Sequence, residues 1–112
     1  MEIRTETTDG ITVVSLSGDV DASTAPQVQE TVLPLVTPGS KVLMDMTGVP
    51  YMSSAGLRAL LSLYRQVSAK DGKLVLVGLS EEIADTMSIT GFLDFFAART
   101  TVAEGLQFLQ EG

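Results

Sequence analysis

The segment between Val42 and Val67, a short apolar run followed by an amphipathic helix pattern, constrains the fold more than any other part of this sequence. Val42-Leu43-Met44 is typical of a central strand that is buried on both faces. Apolar residues then recur at offsets of three and four, which predicts a helix whose apolar stripe faces a sheet. These helical positions are Leu57, Leu60, Leu61, Tyr64 and Val67. A buried strand that leads into a helix is typical of an α/β sheet.

The rest of the chain continues this alternation of strands and helices. Apolar residues alternate from Ile11 to Leu16, and Asp9-Gly10 is a strong turn signal, so a hairpin is expected with the segment around Ile3. Two more strands are predicted at residues 74–77 and 95–100. We therefore expect one small α/β domain over residues 1–112, with a mixed, mostly parallel sheet of four to five strands and about four helices.

Three further helices are predicted from their capping signals and apolar positions. The first is expected to begin near Ser23 or Thr24, because Thr24 and Gln27 resemble a capping box. Ser80 is expected to cap the third helix and Gly91 to end it. The positions predicted to face the core are Val28, Val32 and Leu35 in the first helix, Ile83, Met87 and Ile89 in the third, and Val102, Leu106 and Leu109 in a closing helix over residues 101–110. Four methionines, Met44, Met46, Met52 and Met87, are interpreted as core residues.

Composition excludes several functional classes. The chain has 7 Lys plus Arg against 14 Asp plus Glu, a formal net charge of -7, which repels polyanions and gives no attraction to anionic lipid. Neither nucleic acid nor a membrane surface is expected as a partner. The absence of cysteine and histidine excludes Cys-His and Ser-His-Asp nucleophiles and imidazole metal sites. Because no spacing brings the carboxylates together, we expect no enzyme, no cofactor and no metal.

The expected location is the cytoplasm. The first ten residues have neither a basic segment nor an apolar run, and no stretch of eighteen consecutive apolar residues occurs. The lack of cysteine suits a reducing compartment.

The serine pair Ser53-Ser54 lies where the second helix is predicted to begin. Unpaired backbone N–H groups and the positive end of the helix dipole favour an anion there, so Ser54 is a candidate phosphorylation site. Serine before a helix is also commonly an N-cap, and this interpretation applies to both residues.

Three aspartates are candidate site residues. Asp45 lies near the end of a predicted strand, where it could ligate magnesium or serve as an acid–base group, although organisation of its own loop is the favoured interpretation. Asp19 and Asp21 lie in a predicted turn, where they could bond their own backbone or contact a basic patch on a partner. Both possibilities stay open.

Three motifs together resemble those of STAS domains, the bacterial anti-sigma factor antagonists and their relatives. They are Gly18-Asp19-Val20-Asp21, Asp45 with Tyr51-Met52-Ser53-Ser54-Ala55-Gly56-Leu57, and Ser88-Ile89-Thr90-Gly91-Phe92. The similarity covers nearly the whole chain in order.

The resemblance implies an anti-sigma factor antagonist. Such a protein, when unphosphorylated, binds a serine kinase of the histidine-kinase ATPase fold and frees that kinase's other partner, usually a sigma factor. Phosphorylation by the same kinase ends the association, and a PP2C-type phosphatase reverses it. The phosphorylated hydroxyl of the family, two residues before the motif glycine, corresponds to Ser54. Residues that would shape the site or contact the partner are Asp19, Asp21, Asp45, Ser53, Ala55 and Gly56.

The sequence departs from the commonest family pattern at the switch itself. Ser53 stands where many of these antagonists have aspartate, and Ala55 stands where they often have a second hydroxyl. Ser53 is therefore a competing acceptor.

Other functional classes fit the sequence less well. A receiver domain phosphorylated on aspartate needs a lysine after a late strand, but Lys73 precedes its strand. A small hydrolase or nucleotide-binding enzyme would need a glycine-rich phosphate loop or a nucleophile with a base, and neither is present. One alternative stays open: the chain is a constitutive STAS binding module in a signalling or transport assembly and is not switched by phosphorylation.

Overall fold

A computed structural model describes residues 1–111 and, within them, one sheet of five strands in the order β1-β2-β3-β4-β5. The strands are β1 Glu2–Thr8, β2 Ile11–Ser17, β3 Lys41–Gly48, β4 Lys73–Val77 and β5 Ala97–Arg99. The β1–β2 pair is antiparallel and the other three pairs are parallel. The prediction of a mixed, mostly parallel sheet is confirmed.

Four α-helices connect or follow the strands, as predicted. They are α1 Ala25–Val32, α2 Ser54–Ala69, α3 Glu81–Ile89 and α4 Val102–Glu111. Short 3-10 helices occupy Leu33–Leu35 and Phe92–Phe95.

The helices cover the two faces of the sheet unequally. Apolar residues of α1, α2 and α3 pack on one face with Val42, Met44 and Met46 of β3. On the opposite face, Leu43 packs in a smaller cluster with Leu109 of α4. The central strand therefore contributes to both cores, which is why its apolar run is continuous. The four methionines named above are all buried, so their interpretation as core residues is confirmed.

The β1–β2 hairpin closes through the predicted Asp9-Gly10 turn. Both residues have positive φ, 52° and 78°, and Thr8 lies opposite Ile11. Two positive-φ residues between directly paired positions form a type I′ turn, whose twist matches that of the strands.

Some of the local predictions about the helices were wrong. Thr24 does not form a capping box, because its hydroxyl donates to the Asp19 carbonyl (2.8 Å) and accepts from the Asp21 N–H (2.9 Å). Leu35 is 37% exposed, since α1 ends at Val32 and the 3-10 turn takes Leu35 off the apolar stripe. Ile89 is 86% exposed at the end of α3.

Candidate functional site

Helix α2 begins at the predicted serine pair, and the two serines have different roles. Ser53 is the N-cap: its backbone is extended, and its Oγ accepts a hydrogen bond from the Gly56 N–H at 3.2 Å. Ser54 is the first helical residue and is exposed. The capping interpretation therefore holds for Ser53 and fails for Ser54.

The groups around Ser54 lack hydrogen-bond partners within the described chain. Among residues 1–111, nothing bonds to the Ser54 hydroxyl, to the Ser54 N–H or to the Ala55 N–H. These two N–H groups lie at the positive end of a 16-residue helix. An exposed hydroxyl thus lies beside two free backbone donors, an arrangement that favours an anion.

The loop between β2 and α1 is bonded directly to the segment before α2. Val20 forms a parallel bridge with Met52, in which the Val20 N–H donates to the Tyr51 carbonyl (3.0 Å) and the Ser53 N–H donates to the Val20 carbonyl (2.9 Å). These bonds bring the predicted aspartate turn next to the serine pair.

Gly56 makes this close approach possible. A Cβ at position 56 would lie against the Val20 carbonyl oxygen and within 2.8 Å of the Met52 Cγ. Backbone and buried side chain leave no room for even one methyl group, so the site requires glycine here.

Asp21 organises its own loop, as one of the two interpretations predicted. Its Oδ1 accepts from the Ser23 Oγ (2.7 Å), the Ser23 N–H (2.9 Å) and the Thr24 N–H (3.2 Å). These bonds, that of the Ser23 hydroxyl above all, hold the pKa of Asp21 below its ordinary value. Asp19 is exposed, and no hydrogen bond involves its carboxylate within residues 1–111.

Asp45 also acts locally. Its Oδ1 accepts from the Thr47 N–H (3.0 Å) and the Thr47 Oγ1 (2.6 Å), within β3. No hydrogen bond joins Asp45 to the serine pair in the described chain. Residues 1–111 also contain no cluster of three or more acidic side chains that could hold a metal ion.

A groove of about 430 Å³ runs between the start of α2 and the face of α3. Its lining residues are Tyr51, Met52, Ser53, Ser54, Leu57, Arg58, Thr86, Thr90 and Phe92. Tyr51, one of the lining residues, is 51% exposed. Ile89 precedes the lining residue Thr90 in the chain but is not itself among the lining residues.

Arg58 was not predicted to be a site residue, and Ile89 was not predicted to be exposed. Arg58 follows Ser54 by four residues, the spacing that places both on one helix face. Ile89 was assigned to the core, although it follows Ile83 by six residues and Met87 by two, offsets that place it off their face of the helix.

Replacement of Ser53 tests its role as the N-cap. We expect Ser53→Ala to lower the free energy of unfolding by about 1 kcal/mol, because the Gly56 N–H loses its partner. Urea unfolding measures this change. Ser54→Ala is the matched control and should change stability by less than about 0.5 kcal/mol, since it removes an unbonded, exposed hydroxyl. Equal losses in both variants would contradict the assignment of the cap.

Comparison with known sequences identifies the family. The STAS domain model matches residues 2–105. The anti-sigma-B factor antagonist of Listeria monocytogenes is 32% identical over 105 residues, which cover 93% of this chain and 91% of that protein.

Solved structures share the fold. An anti-sigma factor antagonist from Mycobacterium paratuberculosis superimposes with a TM-score of 0.85 at 25% identity, covering 97% of this chain and 93% of that one. The murine anion transporter Slc26a9 matches with a TM-score of 0.82 at 16% identity, covering 96% of this chain but 19% of the transporter. In residues 1–111 themselves, no helix has the length and apolar character needed to cross a bilayer.

Proposed function

The chain belongs to the STAS domain family, and on that premise we propose that it is an anti-sigma factor antagonist switched by phosphorylation of Ser54. When unphosphorylated, it binds a serine-kinase anti-sigma factor of the histidine-kinase ATPase fold through the groove beside α2. The observation that carries the proposal is the exposed Ser54 hydroxyl, which has no hydrogen-bond partner among residues 1–111 and lies next to two backbone N–H groups that also have none there. The chain is then a regulatory binding domain and has no catalytic role.

Ser54 is better placed than Ser53 to be phosphorylated, because the two hydroxyl groups differ in hydrogen bonding and exposure. The Ser53 oxygen already accepts from the Gly56 N–H, and its side chain is only partly exposed. Phosphorylation of Ser53 would disturb the cap of α2, whereas Ser54 can be modified without loss of a hydrogen bond.

The surroundings of Ser54 can stabilise a phosphate. The free N–H groups of Ser54 and Ala55 are donors at the helix start, and Arg58 lies four residues further along the same face. A phosphate there would carry nearly two negative charges and would occupy the groove. Because Ser54 is exposed, a PP2C-type phosphatase could reach the phosphate and reverse the switch.

The rim of the groove indicates the kind of surface that binds it. Tyr51 lines the groove with a side chain that is 51% exposed, as expected for an apolar contact at the centre of an interface. Exposed carboxylates lie on the elements next to the groove: Asp19 is in the loop before α1, and Glu81, Glu82 and Asp85 are on α3. We therefore expect the kinase to present an apolar patch opposite Tyr51 and basic groups opposite the carboxylates, with no cation at the position that faces Ser54.

A constitutive STAS module is the second candidate. The likeness to Slc26a9 concerns the fold alone, so the shared architecture is compatible with both a switched and an unswitched protein. Ser53 and Ala55, which differ from the commonest family pattern, are the residues that favour this alternative.

Intact-mass spectrometry with site mapping on protein from the native host tests the switch. We expect a single phosphate on Ser54, lost in Ser54→Ala and kept in Ser53→Ala. Phosphate on Ser53 alone would contradict the choice of acceptor. An unmodified protein under every growth condition would favour the constitutive module.

A further inference from the structure

Within residues 1–111, one edge of strand β1 pairs with no other strand. The strand pairs with β2 on its other side, over seven consecutive residues without proline or bulge. Five of these seven side chains are exposed. An edge strand of this kind offers unpaired N–H and C=O groups to another strand.

The hairpin turn determines which backbone groups are free. In a β-turn the first carbonyl accepts from the fourth N–H, so Thr8 and Ile11 form a hydrogen-bonded pair. Hydrogen-bonded and non-hydrogen-bonded pairs then alternate along the ladder. The even-numbered residues of β1 therefore bond to β2, and the N–H and C=O groups of Ile3, Thr5 and Thr7 point away from the sheet.

The charges on β1 are complementary to a second copy in one register. Glu2, Arg4 and Glu6 alternate in sign along the strand. In an antiparallel pair with a two-fold axis at Thr5, Arg4 of each copy lies opposite Glu6 of the other, and Ile3 forms a hydrogen-bonded pair with Thr7. Opposite charges in directly facing positions stabilise such a pair.

Neighbouring registers are disfavoured by the same charges. An axis at Arg4 would place Arg4 opposite itself and Glu2 opposite Glu6, and an axis at Glu6 would place Glu6 opposite itself. Like charges directly opposite each other are destabilising. Only the Thr5 axis uses all seven residues and also pairs the charges.

We propose that two copies of this chain associate through β1, antiparallel and centred on Thr5, to form a continuous ten-stranded sheet. This association is independent of the Ser54 switch. Because strand pairing alone buries a small area, we expect a transient dimer whose population rises with protein concentration.

Charge reversal tests the register. In sedimentation velocity at low salt, we expect the unmodified chain to dimerise with rising concentration. Arg4→Glu and Glu6→Arg should each give monomers, because the facing residues then carry like charges. An equimolar mixture of the two variants should dimerise again, since every Glu at position 4 or 6 then faces an Arg. Glu2→Arg is the control: Glu2 faces Thr8, and the dimer should persist.

A cysteine scan gives a second, geometric readout in a chain that has no cysteine of its own. Facing residues of a hydrogen-bonded pair have Cα atoms about 5.5 Å apart, within the disulfide range. Thr5→Cys should therefore form an intermolecular disulfide on mild oxidation. Thr7→Cys is the control, because the two copies of residue 7 would be roughly 14 Å apart.

Three results would overturn the proposal. The first is that the unmodified chain stays monomeric at every concentration. The second is that the single charge reversals leave dimerisation unchanged. The third is that the two cysteine variants form intermolecular disulfides to the same extent. A monomeric chain would leave β1 to pair with an extended segment of a different protein.

Discussion

Phosphorylation of Ser54 is expected to lower the affinity of the chain for its anti-sigma factor at least a hundredfold, about 2.8 kcal/mol. The groove that contains Ser54 is lined by the exposed side chain of Tyr51, and exposed carboxylates lie on the adjacent helix α3. A phosphate there adds bulk at the contact and a charge that the interface would have to desolvate, which costs several kcal/mol when no cation of the partner receives it. One modification is then enough to release the complex.

Isothermal titration calorimetry with the unphosphorylated, phosphorylated and Ser54→Asp proteins measures this effect. Ser54→Asp adds one charge and less bulk, so we expect a loss of about tenfold. Ser54→Ala should bind like the unmodified chain. Ser68→Asp is the matched control, since it adds the same charge at an exposed position near the other end of α2. Equal affinities for the phosphorylated and unphosphorylated proteins would contradict the switch.

Gly56→Ala is expected to be the most destabilising single-methyl change near the site. The added Cβ would press on the Val20 carbonyl oxygen and the Met52 side chain, so the helix start and the loop must separate. Overpacking, together with weakening of the two hydrogen bonds of Val20, should lower the free energy of unfolding by about 2–4 kcal/mol. This loss exceeds the benefit of about 1 kcal/mol that alanine normally brings to a helix interior.

Urea unfolding and amide chemical shifts together test whether the loss of stability comes from the contact between residue 56 and the Val20 loop. We expect the shifts of Val20 and Ser53 to change, because their hydrogen bonds connect the two segments. Arg65→Ala, an exposed change in the same helix, should leave both stability and these shifts nearly unaffected. Unchanged or higher stability of Gly56→Ala would show that the loop does not pack on α2 as described.

Features that depend on short stretches of chain could be predicted from the sequence. The Asp9-Gly10 turn needs two residues that tolerate positive φ, and the continuous apolar run in β3 reflects burial on both faces. The sheet, its mixed pairing and the four helices followed from such local patterns. Ser54 as the phosphorylated residue came from the motif resemblance together with the predicted helix start, and it remains a prediction.

Features that depend on distant segments could not be predicted in this way. Thr24 has the sequence of a helix cap, but its hydroxyl bonds within the aspartate loop. Leu35 follows Val28 and Val32 with the spacing of a core residue, yet it is 37% exposed because α1 ends at Val32. In both cases a local preference of about 1 kcal/mol competes with contacts whose existence depends on the packing of other elements.

The sequence by itself determined the fold class, the hairpin and the position at which α2 begins, because turn chemistry and apolar periodicity act within a few residues. Only the tertiary structure decided that Ser53 is the cap and Ser54 the exposed hydroxyl. It also decided that Gly56 lies against the Val20 carbonyl, and that β1 pairs on one side only within residues 1–111. These facts depend on how loops and strands far apart in the chain pack together, and no local pattern encodes that packing.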